Sequence, residues 1–346
     1  MISKKRSFAK ILIFFLALMV LAGCARNPKI VRQTGLALGT VCTVSVYDSS
    51  KEKAVADSFA LIKELEDKIS RNIAESEISA INRNAGVVPV KVSGEVFSLL
   101  EIAVDFGKMS GGLFDLTVEP VVSLWGIGTE RASVPAEDKL KYAVAKVDYR
   151  RLVLDAKNST AYLPEKGEAL DLGGVAKGYI ADCVKKQLED AGVSGGILDL
   201  GGNIVVFGKK PDKSDFRVGI QDPFMVRGTS LGIVSMSSGS VVTSGIYERY
   251  FESDGKRYHH IFDVRTGYPV ENELVGVSVI TADSASGDAL STTLFALGLE
   301  DGLAFVESDS SVEAVFITKE KEIVLTSGLK DNFELKDKSF KIRGAI

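Results

Sequence analysis

The stretch DLGGVAKGYIAD, Asp171 to Asp182, sets three glycines and a lysine between two aspartates. Glycines let a backbone come close to a ligand. The N–H groups that open a helix suit a phosphate. Lys177 sits one turn in and can reach a phosphate or carbonyl oxygen. Asp171 can accept from a ligand N–H. The stretch is not a Walker loop, because the G-x-x-x-x-G-K-[ST] spacing is absent. By itself it reads equally well as a tight helix entry with a solvated lysine.

Three further stretches carry chemistry. DSASGDALSTTLFALG holds Asp288 and Thr292 four residues apart, on one face of a helix. A carboxylate, a hydroxyl and a backbone carbonyl make a hard-oxygen set suited to Mg2+, with phosphate oxygens and waters completing six ligands. Taken alone, the same pattern is a helix N-terminus decorated with acids and hydroxyls. TSGIYERYFESDGKRYHHIFDVRTGYP contains both histidines of the chain, His259 and His260. On an alternating strand only one of them faces a given site, where it could act as a general base. GGLFDLTVEPVVSLWGIG presents Phe114, Asp115, Thr117 and the one tryptophan, Trp125. An aromatic beside an acid could hold a ring with polar edges, and core packing explains it as well.

These residues need elements to position them. TVCTVSVY (Thr40–Tyr47) alternates as a strand does. Val55, Phe59, Ile62, Leu65 and Ile69 fall at helical spacing. Ser93 and Gly94 open a second helix that ends at MSGG. RLVLD and TAYL read as a hairpin, and GGVAKGYIADCVKKQLEDAG as a helix closed by Gly192. A dense run of strands follows: GGILDL, NIVVFG, FRVGI, LGIVSM, SVVTSG, YHHIFDV and LVGVSVITA. Ser286 to Leu297 is a helix, and VEAVFIT with EIVLTS a closing hairpin. Strands cluster instead of alternating with helices, which predicts an α+β fold of mixed or antiparallel sheets with packed helices. Residues 36–346 show no internal linker and read as one domain.

The N-terminus is of another kind. MISKKRSFAK is basic, and ILIFFLALMVLAG runs apolar for 13 residues up to Cys24. That reads as a secretory signal over residues 1–23, too short for a comfortable transmembrane helix. LAGC resembles the bacterial lipobox, which makes Cys24 the lipidated first residue and residues 24–35 a linker. The expected location is the periplasm, tethered to a membrane. Cys42 and Cys183 remain, read as buried free thiols, and no zinc spacing is present. Over 346 residues the net charge is −4, which excludes the basic footprint of a nucleic-acid binder.

Together the segments resemble the FAD:protein FMN transferase family, the ApbE flavin-transferase lipoproteins. The matches run in order: LGT (Leu38–Thr40), SEISAIN (Ser76–Asn82), GGLFDLTVEP with LWG, DLGGVAKGY, GGN (Gly201–Asn203), VGIQDP, TSGIYERYF, HIFDVRTG and DALSTTLFALG. The resemblance implies that Asp171 and Lys177 contact FAD, and that the Gly174 carbonyl joins Asp288 and Thr292 around Mg2+. Leu38, where the family usually has Met, would line the flavin site. Leu113, Phe114 and Asp115 would contact the nucleotide, and His260 and Ile261 would lie beside the pyrophosphate or flavin. His260 and Asp288 would be catalytic. The implied acceptors are Thr or Ser hydroxyls of exported subunits of flavin-containing redox complexes.

Two positions depart from the family pattern. Val264 replaces a common Pro. Asn72 stands where the family usually has an aromatic; unlike an aromatic, Asn72 cannot stack on a nucleotide and leaves room for water. The expected function is therefore Mg2+-dependent transfer of FMN from FAD to protein, with FAD hydrolysis to FMN and AMP at the same site as the alternative. A non-catalytic flavin-binding lipoprotein is the reading from another class.

Overall fold

The computed structural model describes residues 30–343. Cys24 and the signal segment lie outside the described residues. No helix among those described is long and apolar enough to cross a membrane.

Strands β1 (Val31–Ala37) and β2 (Thr40–Val46) form a hairpin in unbroken antiparallel register. Its two connecting residues, Leu38 and Gly39, both take positive φ, 55° and 67°. That is the tight primed turn whose twist matches the paired strands. Gly39 suits it. Leu38 is held in this costly conformation with its N–H donated to Glu66 Oε1 at 3.0 Å.

The chain continues through helices α1 (Glu52–Ile69) and α2 (Glu77–Arg83), strand β3 (Val90–Lys91), helices α3 (Gly94–Met109), α4 (Glu119–Trp125) and α5 (Glu137–Val144), and strands β4 (Val153–Asp155) and β5 (Thr160–Tyr162). Helix α6 (Ala176–Asp190) leads into β6 (Gly195–Leu200), β7 (Asn203–Gly208), β8 (Phe216–Gln221), β9 (Ser230–Met236), β10 (Gly239–Gly245), β11 (Tyr250–Ser253), β12 (Lys256–His259) and β13 (Leu274–Thr281). Helices α7 (Ser284–Leu297) and α8 (Leu299–Glu307) precede β14 (Glu313–Thr318), β15 (Glu322–Leu325), β16 (Phe333–Leu335) and β17 (Lys341–Arg343).

The main sheet has nine strands in the order β1-β2-β6-β7-β10-β13-β14-β15-β17. All neighbours are antiparallel except β15 and β17. Side chains alternate between its faces. Cys42, Val44, Leu198, Val277 and Val279 enter a core with Ile62 of α1, Leu99 of α3, Val184 of α6 and Leu294 of α7. Val206, Val241, Val275, Val315 and Ile317 enter a second core with Phe216, Val218 and Val234 of the smaller sheet β16-β9-β8. Strand β13 is therefore buried on both faces, and its sequence is a largely apolar run interrupted by Ser278, close to how such strands read. The fold is α+β, as expected.

Helix α7 is buried nearly all round and crosses α6 at Gly178. An ideal Cβ on Gly178 would meet the Ser284 carbonyl oxygen at 2.2 Å and Ala285 Cα at 2.7 Å. Only a residue without a side chain permits this approach. The α7 N-terminus is satisfied twice. Asp283 accepts from Ser286 N–H at 2.8 Å, and Asp182 of α6 accepts from Ser284 and Ala285 N–H at 2.9 Å.

Three expectations need correction. The linker drawn over residues 24–35 overlaps β1, because Val31 to Gly35 pair fully with β2. The strand drawn through YHHIFDV stops at His259, where the chain turns away to be held by other contacts. The glycines Gly173 and Gly174 form a turn ahead of α6, which begins only at Ala176. Cys42 and Cys183 are unbridged, the first buried and the second half-buried.

Replacing Gly178 with Ala forces two backbones apart. Urea denaturation should show a loss of about 1–3 kcal/mol, the usual cost of overpacking a rigid contact. An unchanged midpoint would mean that the helices separate without cost.

Candidate active site

Asp288 and Thr292 lie one turn apart on α7, and Asp288 is 4% exposed. Its carboxylate is not bare. Lys177 Nζ stands 3.0 Å from Oδ1 and 3.3 Å from Oδ2, and Gly178 N–H donates to Oδ2 at 3.0 Å. Helix α6 has no side-chain cap of its own, so the carboxylate of α7 serves its first turn. The expectation that those N–H groups are free for phosphate is corrected here. Gly178 gives its N–H to Asp288, while Val175 and Ala176 give theirs to the Leu172 carbonyl at 3.0 and 2.8 Å.

The Gly173–Gly174 turn sits against the same place. An ideal Cβ on Gly174 would lie 3.0 Å from Phe114 Cε2 and 3.8 Å from Thr292 Oγ1. Thr292 Oγ1 also lies 3.3 Å from Ser244 Oγ. Gly174, Asp288 and Thr292 thus come together from a turn and a helix far apart in sequence. Their oxygens are all hard donors. Among the described residues no group of three or more His, Cys, Asp or Glu side chains gathers. The protein supplies one carboxylate here, so a divalent cation would fit only with oxygens from a substrate completing its shell.

Asp171 has little left for a ligand. Its Oδ1 accepts from Gly173 N–H at 2.7 Å, and Arg71 Nε pairs with Oδ2 at 2.6 Å. Arg71 also reaches Glu119 at 3.1 Å and Ser123 at 3.2 Å. It thereby ties the α1–α2 turn to α4 and to the glycine turn. Asn72, the next residue, is exposed on that turn. Beside it a cavity of about 250 Å³ is lined by Arg71, Ser79, Asn82 and Glu119.

Asp115 is committed internally. Oδ1 accepts from Thr117 N–H at 2.8 Å and Thr117 Oγ1 at 2.6 Å, and Oδ2 from Tyr149 N–H at 2.8 Å. Burial nevertheless pushes its pKa up. A nucleotide contact through this carboxylate, as expected from sequence, would break that network. Phe114 is buried against Phe106 and the Gly174 turn. Leu113 opens on a different space, a cavity of about 450 Å³ shared with Phe262, Tyr268 and Leu297. Leu38 stays half-buried at the β1–β2 turn.

The two histidines separate cleanly. His259 is 6% exposed. Its Nε2–H donates to the Val270 carbonyl at 2.9 Å, and Nδ1 accepts from Ile261 N–H at 3.3 Å. Its ring edge meets Phe295. Both nitrogens are used, which makes it structural, and Ile261 is buried behind it. His260 is half-buried, and its Nδ1 faces the Arg249 carbonyl at 3.2 Å. A carbonyl can only accept, so Nδ1 carries the proton and Nε2 keeps a lone pair. Burial first, then the Arg249 cation, pushes the His260 ring down to about 4, with Lys177 close enough to add to the effect. Burial likewise pushes His259 to about 4.

Trp125 is no ligand platform. It is fully buried, donates Nε1–H to the Gly267 carbonyl at 2.7 Å, and packs among Phe251, Tyr258, Phe262 and Tyr268. It anchors the loop that follows His260. Sequence reasoning missed Arg71, Glu66 and Arg249. Each acts through a partner distant in sequence, and no local pattern announces that.

The chain resembles known proteins along most of its length. Residues 38–316 match the model of the ApbE family. A Klebsiella pneumoniae protein named FAD:protein FMN transferase is 37% identical over 316 residues, 91% of this chain and 98% of the relative. A Treponema pallidum protein of the same name is also 37% identical, covering 88% and 89%. Among solved structures, the ApbE protein of Thermotoga maritima superposes with a TM-score of 0.82 at 29% identity, over 88% of this chain and 99% of that one.

Both histidines bind a proton more weakly folded than unfolded. Between pH 6.5, their ordinary value, and about 4 the unfolded chain holds more protons. Their contribution to stability is therefore complete above 6.5 and falls as pH drops toward 4. Ring proton shifts should show both midpoints near 4. A midpoint near 6.5 for His260 would mean a solvated ring with no bond to Arg249.

Proposed function

The chain belongs to the ApbE family, and from that premise we propose that it is an FAD:protein FMN transferase that depends on a divalent cation, Mg2+ by its donor set. The observation that carries the reading is the convergence of Asp288, Thr292, Gly174 and Lys177 at the mouth of α6, with the free face of His260 nearby. A pure binder of flavin has no need of a cation and a base at one place.

In the proposed reaction a Thr or Ser hydroxyl of an acceptor protein attacks the FMN phosphorus of FAD. The new bond is the phosphoester between acceptor oxygen and phosphorus. The bond that breaks joins that phosphorus to the bridging oxygen, which leaves with AMP. The hydroxyl proton goes to Nε2 of His260, whose Nδ1–H is fixed on Arg249. Asp288, Thr292 and the Gly174 carbonyl would hold Mg2+, which supplies neutralisation of charge on the phosphoryl oxygens. Arg71 and Asp171 keep the glycine turn in place for the diphosphate. Leu38 and Leu113 are part-exposed and would meet the rings of FAD, whereas Phe114 and Ile261 are buried and would support that surface from behind.

The acceptor belongs to the exported subunits of flavin-containing redox complexes, which fits a chain tethered outside the cytoplasm through Cys24. A second reading rests on Asn72. It is exposed beside Arg71, where an aromatic would cover the diphosphate, so water could replace the acceptor hydroxyl and release FMN and AMP.

Full-length protein with FAD, Mg2+ and an acceptor domain should give covalently flavinylated acceptor and equimolar AMP by chromatography. EDTA and Asp288→Ala should each lower turnover at least a hundredfold. Retained turnover in Asp288→Ala would remove the cation from the reaction. Without acceptor, Asn72→Tyr should suppress AMP release while FAD still binds. Equal release from both proteins would clear Asn72 of any part in hydrolysis.

A further inference from the structure

Asp288 is almost wholly buried, and a buried carboxylate left without a counter-charge is strongly destabilising. In this structure the counter-charge is the Lys177 ammonium, bound to both oxygens at 3.0 and 3.3 Å. The Lys177 side chain is 29% exposed while that of Asp288 is 6% exposed. The lysine thus closes the site from its open side. Gly178 N–H supports Oδ2 from the other side.

Lys177 therefore holds the lone pairs that a divalent cation would need. We propose that Lys177 is a displaceable internal counter-ion: it holds Asp288 until a cation arrives with a diphosphate, then moves to the phosphate oxygens. This rests on the cation-dependent reading above. An ammonium and a divalent cation on the same carboxylate repel each other at this range, so the cation binds best once Lys177 has moved away. A cation arriving alone must strip Lys177 and leave its Nζ without a partner. A cation arriving with a diphosphate gives Nζ a new anion. Cation and dinucleotide binding are thereby coupled, and the coupling runs through Lys177. Such coupling is reciprocal, and values of 5–150-fold are typical. Lys177 is then a positioning residue whose removal strengthens one binding step, unlike an ordinary structural ion pair.

The test is Mn2+ binding to the detergent-solubilised full-length chain, followed by the electron paramagnetic resonance of free Mn2+ without nucleotide. Lys177→Met should bind Mn2+ on the order of tenfold more tightly than wild type, and Lys177→Arg should stay near wild type. Lys177→Met should also melt earlier without metal and recover with saturating Mn2+. If the Met variant does not fold without metal, Lys177→Gln purified in Mn2+ and then dialysed serves the same comparison. Equal or weaker Mn2+ binding in the neutral variants, with a site that Asp288→Asn still abolishes, would overturn the proposal and spare the cation reading. If no protein shows a site that depends on Asp288, the cation reading fails and the proposal falls with it.

Discussion

The buried carboxylate of Asp288 is the constraint around which the rest is arranged. It joins α7 to α6 through Lys177 and through the N–H of Gly178. For that contact the two helices must nearly touch, which only a glycine at 178 allows. Helix α7 must also be held at a fixed depth. Asp182 and Asp283 hold its N-terminus, Ser240 and Ser244 of β10 hydrogen-bond to it, and Val277 and Val279 of β13 lie in the core beneath it. The buried charge is held by the Lys177 cation on both oxygens and by the Gly178 N–H on Oδ2.

Around this centre, polar groups that look available are mostly engaged. Asp171 is bound by Arg71 and by its own turn. Asp115 is spent on Thr117 and Tyr149. His259 uses both ring nitrogens. Among the described residues, Nε2 of His260 keeps its lone pair, and the Thr292 hydroxyl has only a 3.3 Å contact with Ser244 Oγ. The wall is rigid and its reactive groups are few, which suits a reaction that depends on holding two partners in line.

The scaffold explains how such a wall survives in an irregular region. The segment after His260 has little regular structure, yet Trp125 locks it through a bond to Gly267 and four aromatic neighbours. The β1–β2 turn places a leucine at positive φ, and Glu66 of α1 holds its N–H. Strain and order are thus maintained by contacts from other elements.

The sequence by itself determined the α+β class, most strands of the large sheet, the helices α1, α3, α6 and α7, and the family. These follow from local periodicity and from ordered motifs, which a linear reading can see. It also marked Asp288, Thr292 and Lys177 as candidates, because Asp288 and Thr292 share a helix face and Lys177 opens another. Tertiary structure alone decided that Lys177 and Asp288 are partners 111 residues apart. It also decided that Arg71 pairs with Asp171 at the glycine turn, that Thr117 and Tyr149 take up the Asp115 carboxylate, and which histidine keeps an unbonded ring nitrogen. Those outcomes depend on distances between segments remote in the chain. A side chain's chemistry is set by what has already taken its lone pairs, and only the folded packing determines that.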